Sequence, residues 1–120
     1  MTVSNLDKYL DNKDTINGID TIIMKVNDLE INELKTIVDE LINRLGNGIV
    51  FFANIKGESV NFICKCNGVN SQAGLLVKKA ALMSNGRGGG SATFAQGGSS
   101  EVNNIDEILK AVREDIESNK

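Results

Sequence analysis

Residues 48–55 read Gly-Ile-Val-Phe-Phe-Ala-Asn-Ile, a nearly unbroken apolar run. The run has the length of a strand, and a strand without polar alternation has no face for water. It suits a central strand covered on both sides, or one covered on one side with a partner near the other. The flanking segments must therefore supply layers to cover it. Residues 19–26 (IDTIIMKV) read as a strand, with Ile22, Met24 and Val26 on one face and Thr21, Ile23 and Lys25 on the other. The period then changes. Ile31, Leu34, Val38, Leu41 and Leu45 recur at helical spacing, widened by Ile37 and Ile42, which predicts a helix over 30–45. Asn27 and Asp28 are both suitable N-caps, and Asn27 with Glu30 has the spacing of a capping box. Gly46 is placed to end the helix as its left-handed residue.

Beyond the central run, Lys56-Gly57-Glu58 reads as a hairpin turn. Residues 59–67 then alternate, with Val60, Phe62, Cys64 and Cys66 in one apolar row. Asn67-Gly68 breaks that strand. Residues 72–83 predict a helix with Ala73, Leu76, Val77 and Ala80 on one face, capped by Asn70 or Ser71. Ile105, Ile108, Leu109, Val112 and Ile116 predict a last helix over 104–118, with Asn104 and Glu107 at capping-box spacing. The expected architecture is α/β (α+β): a small mixed sheet of three or more strands packed with three helices. A glycine-rich loop joins the last two helices. Residues 18–120 form the domain. The polar residues 1–17 make an N-terminal arm or short helix, ending at a turn at Asn17-Gly18.

At 120 residues and 41% apolar content, the chain suits one domain that folds without disulfides or metals. The net charge of −3 argues against a general nucleic-acid or membrane binder. The average hides an asymmetry. Residues 59–100 hold Lys65, Lys78, Lys79 and Arg87 and no Asp or Glu, while all 16 acids lie elsewhere. A mildly positive face on an acidic body is expected. Cys64 and Cys66, two apart on a strand, continue an apolar row and read as core residues. Reduced cysteines suit the cytoplasm. The N-terminal residues lack the apolar core of a signal peptide, and no run is long enough to span a bilayer.

Chemistry within the chain is limited. It has no His, the commonest general base and metal ligand. The adjacent acid pairs Asp39-Glu40 and Glu114-Asp115 diverge on their helices and make poor dyads. No catalytic or metal-binding residue is expected. The singular stretch is 84–98, Ser-Asn-Gly-Arg-Gly-Gly-Gly-Ser-Ala-Thr-Phe-Ala-Gln-Gly-Gly, which holds half of the 12 glycines. Such backbone can form an anion nest, with Arg87 adding a fork that matches phosphate. It can also allow close packing, or serve as a flexible linker. Phe94 is a poor linker residue. The stretch lacks the Gly-Lys-Ser/Thr ending of a Walker loop, and Ser91 interrupts the dinucleotide pattern.

Gly86-Arg87-Gly88-Gly89-Gly90 followed by Ala95-Gln96-Gly97-Gly98 resembles the C-terminal domain of the alanyl-tRNA synthetases, of the DHH-associated domain family. In that family the stretch typically reads Gly-Gly-Lys-Gly-Gly-Gly, a basic residue, Pro, Asp, a variable position, and Ala-Gln-x-Gly-Gly. The Glu33-Leu34 helix, Leu45–Val50 (LGNGIV) and Ala73-Gly74 agree in order, so the likeness spans roughly residues 18–117. Asn85 stands where the family often has Gly, and Ser91-Ala92-Thr93 replaces the basic-Pro-Asp stretch, removing a charge and a rigid turn.

The resemblance implies an accessory domain of a synthetase. It would bind tRNA for alanine, support aminoacylation and editing, and contribute to a homodimer. Carried over residue by residue, the implied contacts are Gly86, Arg87, Gly88, Gly89, Gly90, Gln96, Gly97 and Gly98. Lys78 and Lys79 add charge beside them. No cofactor is expected in this domain; ATP and metal ions would belong to upstream catalytic and editing modules of the same polypeptide, of which this chain would be an excised piece. The alternative is the nucleotide-phosphate-binding domain of a DHH phosphoesterase. A third reading is a docking module that exposes residues 49–53 and the last helix to a partner.

Overall fold

Residues 48–54 are buried on both faces of their strand, so the central run takes the doubly covered form. The computed structural model describes residues 6–69 and 72–118. Along the chain these form α1 (Leu6–Leu10), β1 (Asp14–Ile16), β2 (Ile19–Asn27), α2 (Ile31–Leu45), β3 (Gly48–Lys56) and β4 (Ser59–Asn67). There follow α3 (Ala73–Met83), β5 (Arg87–Gly90), β6 (Phe94–Ser99) and α4 (Ile105–Ser118). One six-stranded sheet runs β1-β2-β3-β4-β6-β5. Only β2 and β3 pair in parallel, as a strand–helix–strand crossover through α2 allows; every other pair is antiparallel.

Alternation on the strands divides the apolar residues between two cores. Ile49, Phe51 and Ala53 of β3 join Val60, Phe62, Cys64 and Cys66 of β4 beneath α3 and α4. Val50 and Phe52 face the other way and join Ile22 and Val26 beneath α1 and α2. Phe51, Phe52 and Phe62 are fully buried, each contributing about 1.5–3 kcal/mol through burial. This doubly covered β3 removes the docking reading of residues 49–53. The apolar stripe of α4 (Ile105, Ile108, Val112, Ile116) is likewise buried against the sheet and α3.

The architecture exceeds the expected minimum of three strands and three helices. Asn17 and Gly18 form the expected turn, with φ of 54° and 76°, but it closes a hairpin that adds β1 to the sheet edge. Tyr9 of α1 packs on Phe52 with ring centroids 5.4 Å apart, so the N-terminal segment is part of the second core. Arg113 of α4 donates to the Asp14 carboxylate and holds it below the usual carboxylate range, helped by the Thr15 N–H. The capping box of α2 uses Glu30 and Glu33 rather than Asn27 and Glu30, because Asn27 is still paired with Ile55 in the sheet. Gly46 ends α2 at φ 78°. Caps expected at Asn70 or Ser71 lie outside the described residues.

One buried polar side chain holds the β2–α2 connection. Asn54 is 0% exposed; its Nδ2 donates to Leu29 O at 2.8 Å, and its Oδ1 accepts from Leu29 N–H at 3.1 Å. The amide thus copies a strand neighbour where the chain leaves the sheet, with Asp28 at φ 60°. Replacing Asn54 by Ala strands both groups of Leu29. Urea unfolding of Asn54→Ala is expected to show a loss of about 1–3 kcal/mol, with the slope unchanged.

Candidate nucleic-acid interface

The glycine stretch is sheet rather than loop. Gly90 pairs with Ala95, Gly89 with Gln96, Gly88 with Gly97 and Arg87 with Gly98, so residues 87–99 make a hairpin. β6 in turn pairs with β4, from Lys65–Phe94 to Val60–Ser99. β6 is therefore an interior strand, and the backbone of Gln96, Gly97 and Gly98 is flanked by a partner strand on each side. β5 is the edge.

Close packing explains most of these glycines. A Cβ on Gly97 would lie 2.6 Å from both Arg87 O and Gly88 Cα, and 3.0 Å from Val77 Cγ1 of α3. On Gly88 it would meet Val77 Cγ1 at 2.8 Å, and on Gly90 it would meet Phe94 O at 2.5 Å. Gly74 in the first turn of α3 answers from above, where a Cβ would be 2.6 Å from Gly90 O. Helix and hairpin thus meet through backbone on both sides. The N-terminus of α3 is closed by the same contact. Ala73 N–H donates to Ala92 O and Gly74 N–H to Ser91 O, both at 2.9 Å, so those donors are satisfied within the fold.

Backbone groups remain open along one line. Ser91 N–H donates to Phe94 O at 2.9 Å, which marks that pair as hydrogen-bonded. Antiparallel pairs alternate between bonded and non-bonded. Gly89–Gln96 and Arg87–Gly98 are then bonded, while Gly88 and Gly90 turn their N–H groups toward the free edge. Gly86, two residues earlier, is not open: its N–H closes the C-terminal end of α3 by donating to Ala81 O at 2.7 Å.

Alternation also sorts the side chains. Ala95, Gly97, Gly88 and Gly90 face α3. Arg87, Gly89, Gln96 and Gly98 face the opposite side, where α2 packs on β3 and β4 and leaves β6 and β5 largely bare. Arg87 and Gln96 are exposed there. Asn61 and Lys65 of β4 share that face; Lys65 is taken by Asp39 of α2 at 2.6 Å. Among the described residues, no ion pair involves Arg87 or Lys78. Lys79 pairs with Asp115 of α4 at 3.6 Å. Lys78 stands one turn beyond Gly74, on the side of α3 that overhangs β5. The expected binding residues therefore divide. Arg87 on one face of the sheet and Lys78 above the other flank the edge strand whose Gly88 and Gly90 amides turn outward. Lys79 belongs to the α3–α4 contact, and Gly97 and Gly98 belong to the sheet interior. Sequence patterning missed Asn61 and the bare face; the available signal was its place in the row opposite Val60, Phe62 and Cys64.

Neither cysteine is placed as a nucleophile. Cys64 and Cys66 are buried with sulfurs 3.9 Å apart, and burial, then the hydrogen bond shared with Cys66, pushes the Cys64 thiol well up. Among the described residues no cluster of three metal-ligating side chains occurs, and no helix is long and apolar enough to cross a membrane.

The family model described as the DHHA1 domain matches residues 18–118. The alanine–tRNA ligase of Clostridioides difficile is 31% identical over 124 residues, covering 98% of this chain and 14% of the ligase. The chain thus spans about one seventh of that relative's length. The crystal structure of the C-Ala domain of Aquifex aeolicus alanyl-tRNA synthetase superposes with a TM-score of 0.81 at 24% identity, covering 88% of this chain and 98% of that one. RecJ of Thermus thermophilus shares the fold at a TM-score of 0.70 and 12% identity, covering 96% of this chain and 17% of RecJ.

If packing sets the glycine at the hairpin centre, a single methyl is enough to disturb it. Gly97→Ala is expected to lose about 1–3 kcal/mol in thermal or urea unfolding. The loss should shrink when Val77→Ala is added, because the Val77 methyl is one of the groups in the way.

Proposed function

The chain belongs to the DHHA1 domain family, and on that premise we propose that it is the C-terminal accessory domain of an alanyl-tRNA synthetase, holding tRNA by its phosphates in the cytoplasm. The observation that carries this reading is the free edge of β5. An exposed guanidinium with no carboxylate partner among the described residues adjoins outward backbone N–H groups, inside a stretch of 42 residues, 59–100, that contains no acid. Arg and backbone amides are the donors that fit phosphate oxygens. The acidic body around them would repel RNA elsewhere and so fix how the domain is approached.

Such a site holds RNA weakly and by shape. One Arg, one Lys and a few amides contact few phosphates, and one Tyr and four Phe leave little for base stacking. Tyr9, Phe51, Phe52 and Phe62 are buried in any case. The domain would add its grip to that of the aminoacylation and editing modules of a longer polypeptide. Replacement of the family's basic-Pro-Asp by Ser91-Ala92-Thr93 leaves the net charge of the hairpin turn unchanged but removes a cation that could meet a phosphate, which fits a looser hold. The likeness to RecJ supports a second reading, in which the same edge binds the phosphate of a nucleotide for a phosphoesterase. The relative at 31% identity favours the synthetase.

Titration of labelled tRNA for alanine at several salt concentrations separates the two. The proposal expects weak binding at low salt. Arg87→Ala should lower the slope of log affinity against log salt by roughly one unit, and Lys78→Ala should act in the same direction. Absence of binding at low salt, or an unchanged slope in Arg87→Ala, contradicts it. Binding of mononucleotides as tight as that of tRNA would favour the phosphoesterase reading.

A further inference from the structure

Large apolar side chains left in water cluster on one helix. Leu75, Leu82 and Met83 of α3 are 58%, 67% and 36% exposed, and Ile31 is the only other large apolar residue so exposed among the described residues. The buried face of α3 is already complete with Ala73, Leu76, Val77, Ala80 and Ala81. Leu75 and Leu82 are therefore surplus to the core. They are seven residues apart, two turns along one line on the outward side of the helix. Lys78 and Lys79 lie between them, one on either flank of that line.

Paired helices choose partners by the charges that border their apolar seam positions, and here the heptad-spaced Leu75 and Leu82 are bordered by Lys78 and Lys79. The line supplies the seam, and the flanks choose the partner. A second copy of this chain is a poor choice. Two α3 helices crossing antiparallel on Leu75 and Leu82 would bring Lys78 and Lys79 of both copies together at the centre. The charge complement is a helix whose apolar seam is flanked by carboxylates. Lys78 is free to meet one. Lys79 already engages Asp115 at 3.6 Å and can share its charge with another acid. No acid lies on α3 or in the hairpin beneath it to compete.

We propose that the outward line Leu75–Leu82 of α3 is a docking surface for an acidic amphipathic helix of a partner protein. It is distinct from the face on which Arg87 lies, since α3 and the Arg87 side chain occupy opposite sides of the sheet. The surface therefore does not depend on the RNA reading, although Lys78 borders both.

The test uses two synthetic amphipathic peptides of about three heptads with the same leucine seam, one flanked by Glu and the other by Lys. Fluorescence anisotropy with this domain should show binding of the Glu peptide, at least tenfold weaker binding of the Lys peptide, and loss of Glu-peptide binding in Leu75→Gln with Leu82→Gln. Both leucines are exposed, so the double variant should keep its unfolding midpoint and its tRNA titration unchanged. Equal affinity for the two peptides, or no binding of the Glu peptide by the folded wild type, overturns the proposal. So does self-association in sedimentation equilibrium that the double variant abolishes, since the occupant would then be a second copy. Loss of tRNA affinity in the double variant also overturns it, by giving the line to RNA; failure of the tRNA reading alone leaves the peptide result intact.

Discussion

The contact between α3 and the β5–β6 hairpin depends on the absence of side chains on both sides. Gly88 and Gly97 lie against each other under Val77, and Gly74 lies over Gly90 O. Because the hairpin is nearly bare, α3 rests directly on backbone. Because α3 rests there, its first N–H groups find Ser91 O and Ala92 O, and its N-terminus needs no other cap. The same approach fixes the level of β5, and with it the position of Arg87 and the direction of the edge amides. A methyl at the centre would lift the helix, loosen the edge strand and expose part of the core beneath Ala95 and Val77. The level and direction of the edge strand are thus a consequence of packing.

An anion nest and close packing were alternatives at the level of sequence; the stretch is extended strand, which turns successive N–H groups to opposite sides, so no concave nest forms and close packing accounts for the central glycines. Gly97 is held by sterics. Gly88 is packed under Val77 while its N–H looks to the edge. Composition could not separate these roles, because a glycine required by a neighbour and a glycine required by a ligand are the same residue. The separation comes from strand pairing, which is non-local: β6 is interior only because it inserts between β5 and β4.

Patterns with a clear period were legible. The helix over 30–45, the strands at 19–26, 48–55 and 59–67, and both later helices follow directly from apolar spacing. β1, β5 and β6 were not legible, for physical reasons. Three residues of β1 carry too little period to read, and Arg-Gly-Gly-Gly has no side-chain alternation at all. The role of Asn54 was hidden because an Asn in an apolar strand is informative only once the chain reversal at Asp28 and Leu29 is placed beside it. Of the candidate site, the charge asymmetry of residues 59–100 carried through to Arg87 and Lys78. Lys65 and Lys79 were drawn away by Asp39 and Asp115, acids distant in sequence and adjacent in space.

The central claim is that the outward amides of the edge strand, next to Arg87, meet the phosphates, while the glycines of the interior strand are structural. Backbone amide NMR of the isotope-labelled domain, titrated with tRNA for alanine, tests it at each glycine separately. The account predicts fast-exchange shifts at Gly88 and Gly90, larger than any at Gly97 and Gly98, with the latter pair still protected from solvent exchange. Perturbation confined to Gly97 and Gly98, or to residues remote from the hairpin, would contradict it.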